Sequence, residues 1–178
     1  MDDLVAQAMA KWPNVPACYG WLGLDTRGDW YMRDDAAQAS GPFAGPDATA
    51  CSKGSRLVHD GLIAFIARNY GCDAQGCWYF QNGPQRVYVD LALTPWIARL
   101  DNHGPVRTHT GLILTPQAVW LDELGRCYFS FDRGLALIHS QDMEAFSRRL
   151  EHEEWCLEQI DSNAMPEQFS YHLSPRGR

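Results

Sequence analysis

The sequence predicts an α+β protein in which an antiparallel β-sheet, strongly twisted or partly closed and built from repeated hairpins, carries about three packed helices. Three observations lead to this prediction. The chain contains seven Trp, seven Tyr and seven Phe, and aromatic residues favour strands. One turn pattern occurs three times, as expected of hairpins. Three other segments have apolar residues at helical spacing.

The length of 178 residues favours a single domain over residues 1–178. Residues 33–54 are rich in Ala, Gly, Ser and Pro, and this composition predicts a mobile loop. The segment 166–178 has little to pack and is expected to form a loose tail.

Apolar periodicity indicates the three helices. The first covers residues 2–12, and the second begins between residues 55 and 60 and stops at Gly71. Ser140 can cap the third, which is expected to continue to residues 161–163 because Leu157 and Ile160 extend its apolar spacing.

A pattern Asp-x-x-Gly-x-x-Tyr recurs along the chain. In this pattern the Asp caps a tight turn, the Gly takes a positive φ, and the aromatic residue begins the return strand. It therefore predicts three hairpins of one sheet system, with their Asp, Gly and Tyr at 25, 28 and 31, at 73, 76 and 79, and at 122, 125 and 128.

Strand signals fill the middle of the chain. The pair Asn82-Gly83 marks a further hairpin, and apolar residues then alternate from Val87 to Leu93 until Pro95 interrupts the strand. Further strands are predicted over residues 109–114, 118–121, 127–131 and 135–138.

Charge and composition exclude some classes of binding partner. The formal net charge is −7, and no basic patch of the kind that phosphate neutralisation requires is present, so nucleic acid is not an expected partner. No run approaches the roughly 20 apolar residues of a membrane span, and the N-terminus does not read as a secretory signal. We therefore expect a cytoplasmic protein without a membrane partner, whose six cysteines are reduced thiols. No phosphate-loop, dinucleotide or nucleophile-elbow motif occurs, and no cofactor is predicted.

Polar residues concentrate in one stretch of the predicted β region. Arg86, Asp90, Arg107 and His109 form the predicted ligand site, because guanidinium, carboxylate and imidazole groups bind polar ligands. These residues would lie near one another if the strands at 86–94 and 107–114 paired, a register that the sequence does not fix. The alternative is a set of solvated surface charges.

A metal site is the second hypothesis. Asp101, His103 and His109 carry ligand types suited to zinc, and a three-ligand site with an open position could activate water. Their spacing matches no known metal motif. The segment 152–156 places a His and a Cys four residues apart, although its acidic neighbours indicate a solvated helix face.

Three runs resemble a family of proteins. These are the runs that begin Tyr19-Gly-Trp-Leu, Leu62-Ile-Ala-Phe and Trp78-Tyr-Phe-Gln-Asn-Gly. They resemble an uncharacterised proteobacterial family known as a domain of unknown function, over roughly Trp12 to Leu150. The resemblance implies a bacterial cytoplasmic setting and no particular activity.

The sequence thus predicts an uncharacterised cytoplasmic binding or accessory protein, whose partner is a small molecule or another protein. The alternative is a small metal-assisted hydrolase that uses His103, His109 and Asp101. The residues leave open whether the protein is an enzyme.

Overall fold

The computed structural model describes residues 2–152 and 155–175, which form two compact units. Of the described residues, 2–25, 29–92 and 171–175 belong to the first unit, and 26–28, 93–152 and 155–170 belong to the second. Among the helices that the structure describes, none has the length and apolar character that a membrane crossing requires.

The first unit contains four helices and one six-stranded sheet within its described residues. Its elements are α1 (Asp3–Lys11), β1 (Cys18–Leu24), β2 (Trp30–Met32), α2 (Asp35–Ala39), α3 (Ala50–Lys53), β3 (Ser55–Arg56), α4 (Asp60–Arg68), β4 (Tyr70–Cys72), β5 (Trp78–Asn82) and β6 (Gln85–Leu91). The strand order is β3-β2-β1-β6-β5-β4, and the central β1–β6 pair is parallel while its other pairs are antiparallel.

The second unit has its own six-stranded sheet. Its elements are β7 (Trp96–Arg99), β8 (Arg107–Thr108), β9 (Ala118–Asp122), β10 (Cys127–Phe131), β11 (Gly134–Ile138), α5 (Met143–His152), β12 (Leu157–Ile160) and α6 (Met165–Gln168). The strand order is β12-β9-β10-β11-β7-β8, with parallel pairs at β12–β9 and β11–β7.

The α+β class is confirmed, and the finer description of the sheet needs correction. The described strands form two open sheets rather than one partly closed sheet, and both sheets mix parallel and antiparallel pairs. The chain leaves the first sheet after β6 and enters the second at β7, directly after Pro95. Three of the described helices have nine or more residues, which agrees with the predicted number of packed helices. The prediction of a single domain stays a prediction.

The three repeated turns are confirmed, and they are built alike. In each turn the Asp N–H donates to the carbonyl of the residue four positions on, at 3.0, 3.0 and 3.1 Å. The N–H of that same residue donates back to the Asp carboxylate, at 3.0, 2.9 and 2.8 Å. The turn glycines Gly28, Gly76 and Gly125 have φ of 83°, 83° and 76°, which a side chain would disfavour. The strand pairs β1–β2, β4–β5 and β9–β10 close on these turns.

Apolar packing holds each unit together. In the first unit α4 lies against the sheet, where the rings of Phe65 and Phe80 meet edge to face at 5.4 Å. In the second unit Phe129 of β10 is fully buried and contacts the rings of Phe146 and Trp155, at 5.8 and 5.0 Å. Aromatic pairs of this geometry stabilise a core beyond the area that they bury.

Four local predictions were wrong. In the described part of the segment 166–178, where a loose tail was expected, α6 continues to Gln168, Tyr171 is buried, and the Leu173 carbonyl accepts from the Leu91 N–H at 2.7 Å. Residues 33–54 contain α2 and α3, where a loop was expected. The third helix does not continue through residues 157–160, which form β12; Glu153 and Glu154 lie outside the described residues. Residues 109–114 do not form a strand, because Gly111 has a φ of 84° and its N–H closes a turn onto the Thr108 carbonyl.

Candidate functional site

The first unit contains a buried ion pair between Arg33, which follows β2, and Asp90 on β6. Arg33 is 1% exposed, and its Nη1 donates to Asp90 Oδ2 at 3.0 Å. Its Nε and Nη2 donate to the carbonyl oxygens of Ser52 at 2.7 Å and Gly41 at 2.6 Å. The other carboxylate oxygen of Asp90 accepts from the Ser174 hydroxyl at 2.6 Å. Both charges therefore have fixed polar partners, as their burial requires.

Residues 34–54, which we call the cover segment, supply two of these partners. Asp34 caps α2 by accepting from the Ala37 N–H at 2.8 Å. Thr49 and Ser52 cap α3 reciprocally, each side chain accepting from the other residue's backbone N–H, at 3.0 and 2.8 Å. These caps fix the two short helices, so the Gly41 carbonyl between them and the Ser52 carbonyl within α3 are presented to the guanidinium of Arg33.

Phe43 anchors the middle of the cover segment. Its ring is buried and lies over Gly23 of β1, where a Cβ atom would be only 2.4 Å from the ring. Because such a distance is sterically excluded, a glycine is needed at position 23 for the ring to pack on this strand. Tyr31 adds a tilted ring contact at 5.9 Å.

A cavity of about 390 Å³, the Arg33 cavity, opens beside the ion pair. Its walls combine the ion pair with amide, hydroxyl, backbone and apolar groups. Strand β6 contributes Asp90 and Leu91, and the residues directly after β2 and β6 contribute Arg33 and Ala92. The cover segment contributes Gln38, Gly41, Pro42, Phe43, Ala44 and Gly45, and Leu173 and Ser174 complete the lining.

The structure places the residues of the predicted ligand site in separate surroundings. Arg86 and Asp90 both lie on β6, four residues apart and so on the same face of the strand. The Arg86 guanidinium covers the ring of Tyr79 at 4.6 Å. Arg107 is exposed on β8 of the second unit, and His109 is half-buried in that unit. The two segments do not pair within the described sheets, because β6 pairs with β1 and β5 whereas β8 pairs with β7.

The predicted metal ligands have other partners. Asp101 Oδ1 accepts from the backbone N–H of His103 at 3.1 Å and from that of Gly104. These bonds lower the pKa of Asp101, the Gly104 bond most. The Nδ1 of the half-buried His109 accepts from the Ile97 N–H at 3.3 Å, whereas His103 is exposed. In the part of the chain that is described, no group of three His, Cys, Asp or Glu is placed to hold a metal ion.

His109 nevertheless has a strongly perturbed imidazole. Burial lowers its pKa to about 3, since the charged imidazolium is costly to desolvate. His109 is therefore a neutral ring under physiological conditions, with its Nδ1 acting as an acceptor.

Asp90 is one of the residues that the sequence predicts as ligand-binding, whereas its neighbours Arg33, Phe43 and Ser174 were not predicted. Arg33 follows the short strand Trp30–Met32 and directly precedes the capping residue Asp34. A charged residue directly after a short strand indicates the start of a loop. The sequence could not indicate the ion pair, because Asp90 lies 57 residues away. The one local signal was the pair of helix caps in the cover segment.

Comparison with known proteins assigns the family. Residues 1–176 match the model of the DUF2944 family, whose description is "Protein of unknown function (DUF2946)". The curated proteins contain no match to the chain. A solved structure of a DUF1285 family protein from Silicibacter pomeroyi DSS-3 is similar over 85% of this chain and 84% of its own, at 14% identity and a TM-score of 0.49. The resemblance to a domain of unknown function is thus confirmed, and the chain belongs to the DUF2944 family of proteins of unknown function.

Proposed function

We propose that the protein binds a small polar molecule in the Arg33 cavity. The observation that carries this proposal is the juxtaposition of a 390 Å³ cavity with a buried ion pair, Arg33 and Asp90. Ligand sites are commonly concave, with volumes of roughly 300–1,000 Å³, and contain a few convergent polar groups in an apolar surround.

The pair is better explained by recognition than by stability. Moving two charges out of water costs several kcal/mol per ion, and a well-packed apolar pair of similar volume is often at least as stable. A cavity wall gives the same pair a use, because a guanidinium and a carboxylate held side by side present donors and acceptors in a fixed direction.

The lining also indicates the class of ligand. The charges of Arg33 and Asp90 cancel, which favours a neutral or zwitterionic molecule over an anion or a cation. Phe43 and Leu91 offer apolar contact, and the Gln38 amide adds a donor and an acceptor. We therefore expect a small molecule with an apolar body and a hydrogen-bonding end. This proposal keeps Asp90 as a ligand residue; Arg86, Arg107 and His109 and the cytoplasmic setting stay predictions.

A thermal-shift screen of neutral and zwitterionic small molecules, such as amino acids, nucleobases and nucleosides, tests the proposal. A ligand at about 100 times its Kd stabilises the native state by about 2.7 kcal/mol. Ala44→Trp and Leu173→Trp place a large ring at the cavity without touching the ion pair, and both should abolish the shift.

Ala39→Trp is the matched control, because Ala39 ends α2 on the same cover segment, is exposed and does not line the cavity. It should bind as the wild type does. The proposal fails if no compound in the screen stabilises the wild type, or if a compound that does so binds both blocked variants with unchanged affinity.

A further inference from the structure

The second unit contains a cavity of a different chemical character. It has a volume of about 440 Å³ and lies between α5 and the loop that follows β7. Two guanidinium groups, two imidazoles and one amide line it, from Arg148, Arg149, His103, His152 and Asn102. We call it the cationic cavity, since no carboxylate occurs among the described residues that line it.

Helix geometry and the loop place these groups together. His152 is four residues after Arg148 and three after Arg149, so the three side chains fall on one side of α5. Arg149 Nη1 donates to the Gly104 carbonyl at 3.0 Å, and its guanidinium covers the Trp155 ring at 5.3 Å. One of the two cations is therefore held in place before any ligand arrives.

Two acids close to these cations already have partners. Asp101 accepts the backbone N–H groups of its own loop, and Glu144 pairs with Arg148 one helical turn away. The Glu144 pair is exposed on both sides, so water screens it and a ligand can compete for Arg148 at little cost. By contrast, the formal net charge of the whole chain is −7, so this concentration of Arg and His departs from the composition of the protein.

Arginine pairs are the usual means of holding a phosphate, because the planar guanidinium matches two of its oxygens. We propose that the cationic cavity binds the phosphate group of a small molecule. Arg148 and Arg149 hold the phosphate oxygens, and His103, His152 and Asn102 donate additional hydrogen bonds. The volume exceeds the needs of a lone phosphate ion and leaves room for the rest of a small ligand.

A nucleic acid does not fit the same observations. Binding a polyphosphate strand depends on neutralising several successive phosphates along a basic surface. Here the cations line one cavity of an acidic protein, which suits a single phosphate group.

Titration with inorganic phosphate and inorganic pyrophosphate, followed by calorimetry and by NMR of the imidazole ring signals, tests this proposal. The ring signals of His103 and His152 should shift with the added anion, whereas that of His59 in the first unit should not. Arg148→Gln should weaken the binding of pyrophosphate by about tenfold, because one charge-assisted pair is lost.

Arg133→Gln is the matched control, since Arg133 lies in the same unit at the β10–β11 turn and outside the cavity. Arg149→Gln also removes the contact to Gly104, so Arg148→Gln carries the test if Arg149→Gln fails to fold. The proposal is overturned if neither anion shifts the signals of His103 and His152, or if Arg148→Gln and Arg133→Gln bind pyrophosphate equally well.

Discussion

Burial of His109 makes a defined prediction about acid stability. The unfolded chain takes up a proton on this imidazole below about pH 6.5, whereas the folded protein, with a pKa of about 3, does not. The unfolded state therefore binds more protons between these values, and the free energy of unfolding decreases as the pH falls through this window.

The magnitude follows from the two pKa values. Once the unfolded imidazole is fully protonated, the free energy of unfolding falls by about 1.4 kcal/mol for each unit by which the pH decreases. Integrated from about pH 7 to about pH 5.5, His109 alone removes about 1.3 kcal/mol of stability. Ordinary carboxyl groups titrate nearer pH 4, so most of their contribution falls below this interval.

Urea unfolding of the wild type and of His109→Asn across this interval measures the effect. Asn keeps an acceptor for the Ile97 N–H and removes the titrating ring. The variant is expected to be less stable at every pH. Between about pH 7 and about pH 5.5, however, its free energy of unfolding should fall by about 1.3 kcal/mol less than that of the wild type. His103→Asn, at an exposed position, is the matched control and should keep the wild-type dependence. Equal pH dependence in the wild type and His109→Asn would refute the assignment of a buried neutral imidazole.

Three further predictions concern backbone strain, thiol reactivity and the ion pair. Gly125→Ala should lower the free energy of unfolding by about 1–2 kcal/mol, from its positive φ alone. Gly28→Ala should lower it further, because the new Cβ would lie 2.8 Å from the Cβ of His109. Chemical denaturation measures both losses, and equal losses would contradict this prediction. Desolvation and the neighbouring Asp carboxylate raise the pKa of Cys72 to about 11. Alkylation of Cys72 at about pH 8, followed by mass spectrometry of the labelled peptides, should therefore be about tenfold slower than that of an unperturbed thiol. An equal rate would contradict the shift. Arg33→Leu should destabilise the protein by about 3–5 kcal/mol in urea, since it leaves a buried carboxylate uncompensated, and a loss below about 1 kcal/mol would contradict the burial of the pair.

Local signals explain which parts of the fold could be predicted. The three Asp-x-x-Gly turns were identified because their hydrogen bonds join residues no more than four positions apart. The helices at residues 3–11 and 60–68 were identified from apolar spacing. The spacing of Leu157 and Ile160 misled, because a separation of three residues fits a helix and does not exclude the parallel pairing that β12 makes with β9.

Long-range pairing explains the rest. Asp90 stood out as a charge within an apolar alternation, yet its partners Arg33 and Ser174 lie 57 and 84 residues away. The division of the strands into two sheets depends on the parallel pairs between distant segments, which no turn motif specifies. Composition alone could not distinguish the cover segment from a loop, since its two helices have four and five residues and depend on their caps.

The central claim is that the Arg33 cavity is a ligand site, and a comparison of binding in three variants tests it most directly. Isothermal titration of the best compound from the small-molecule screen would be carried out on the wild type, Ala44→Trp and Ala39→Trp. Occupation of the cavity predicts that the affinity is lost in Ala44→Trp, by at least about a hundredfold, and is unchanged in Ala39→Trp. Unchanged affinity in a folded Ala44→Trp protein would contradict the claim.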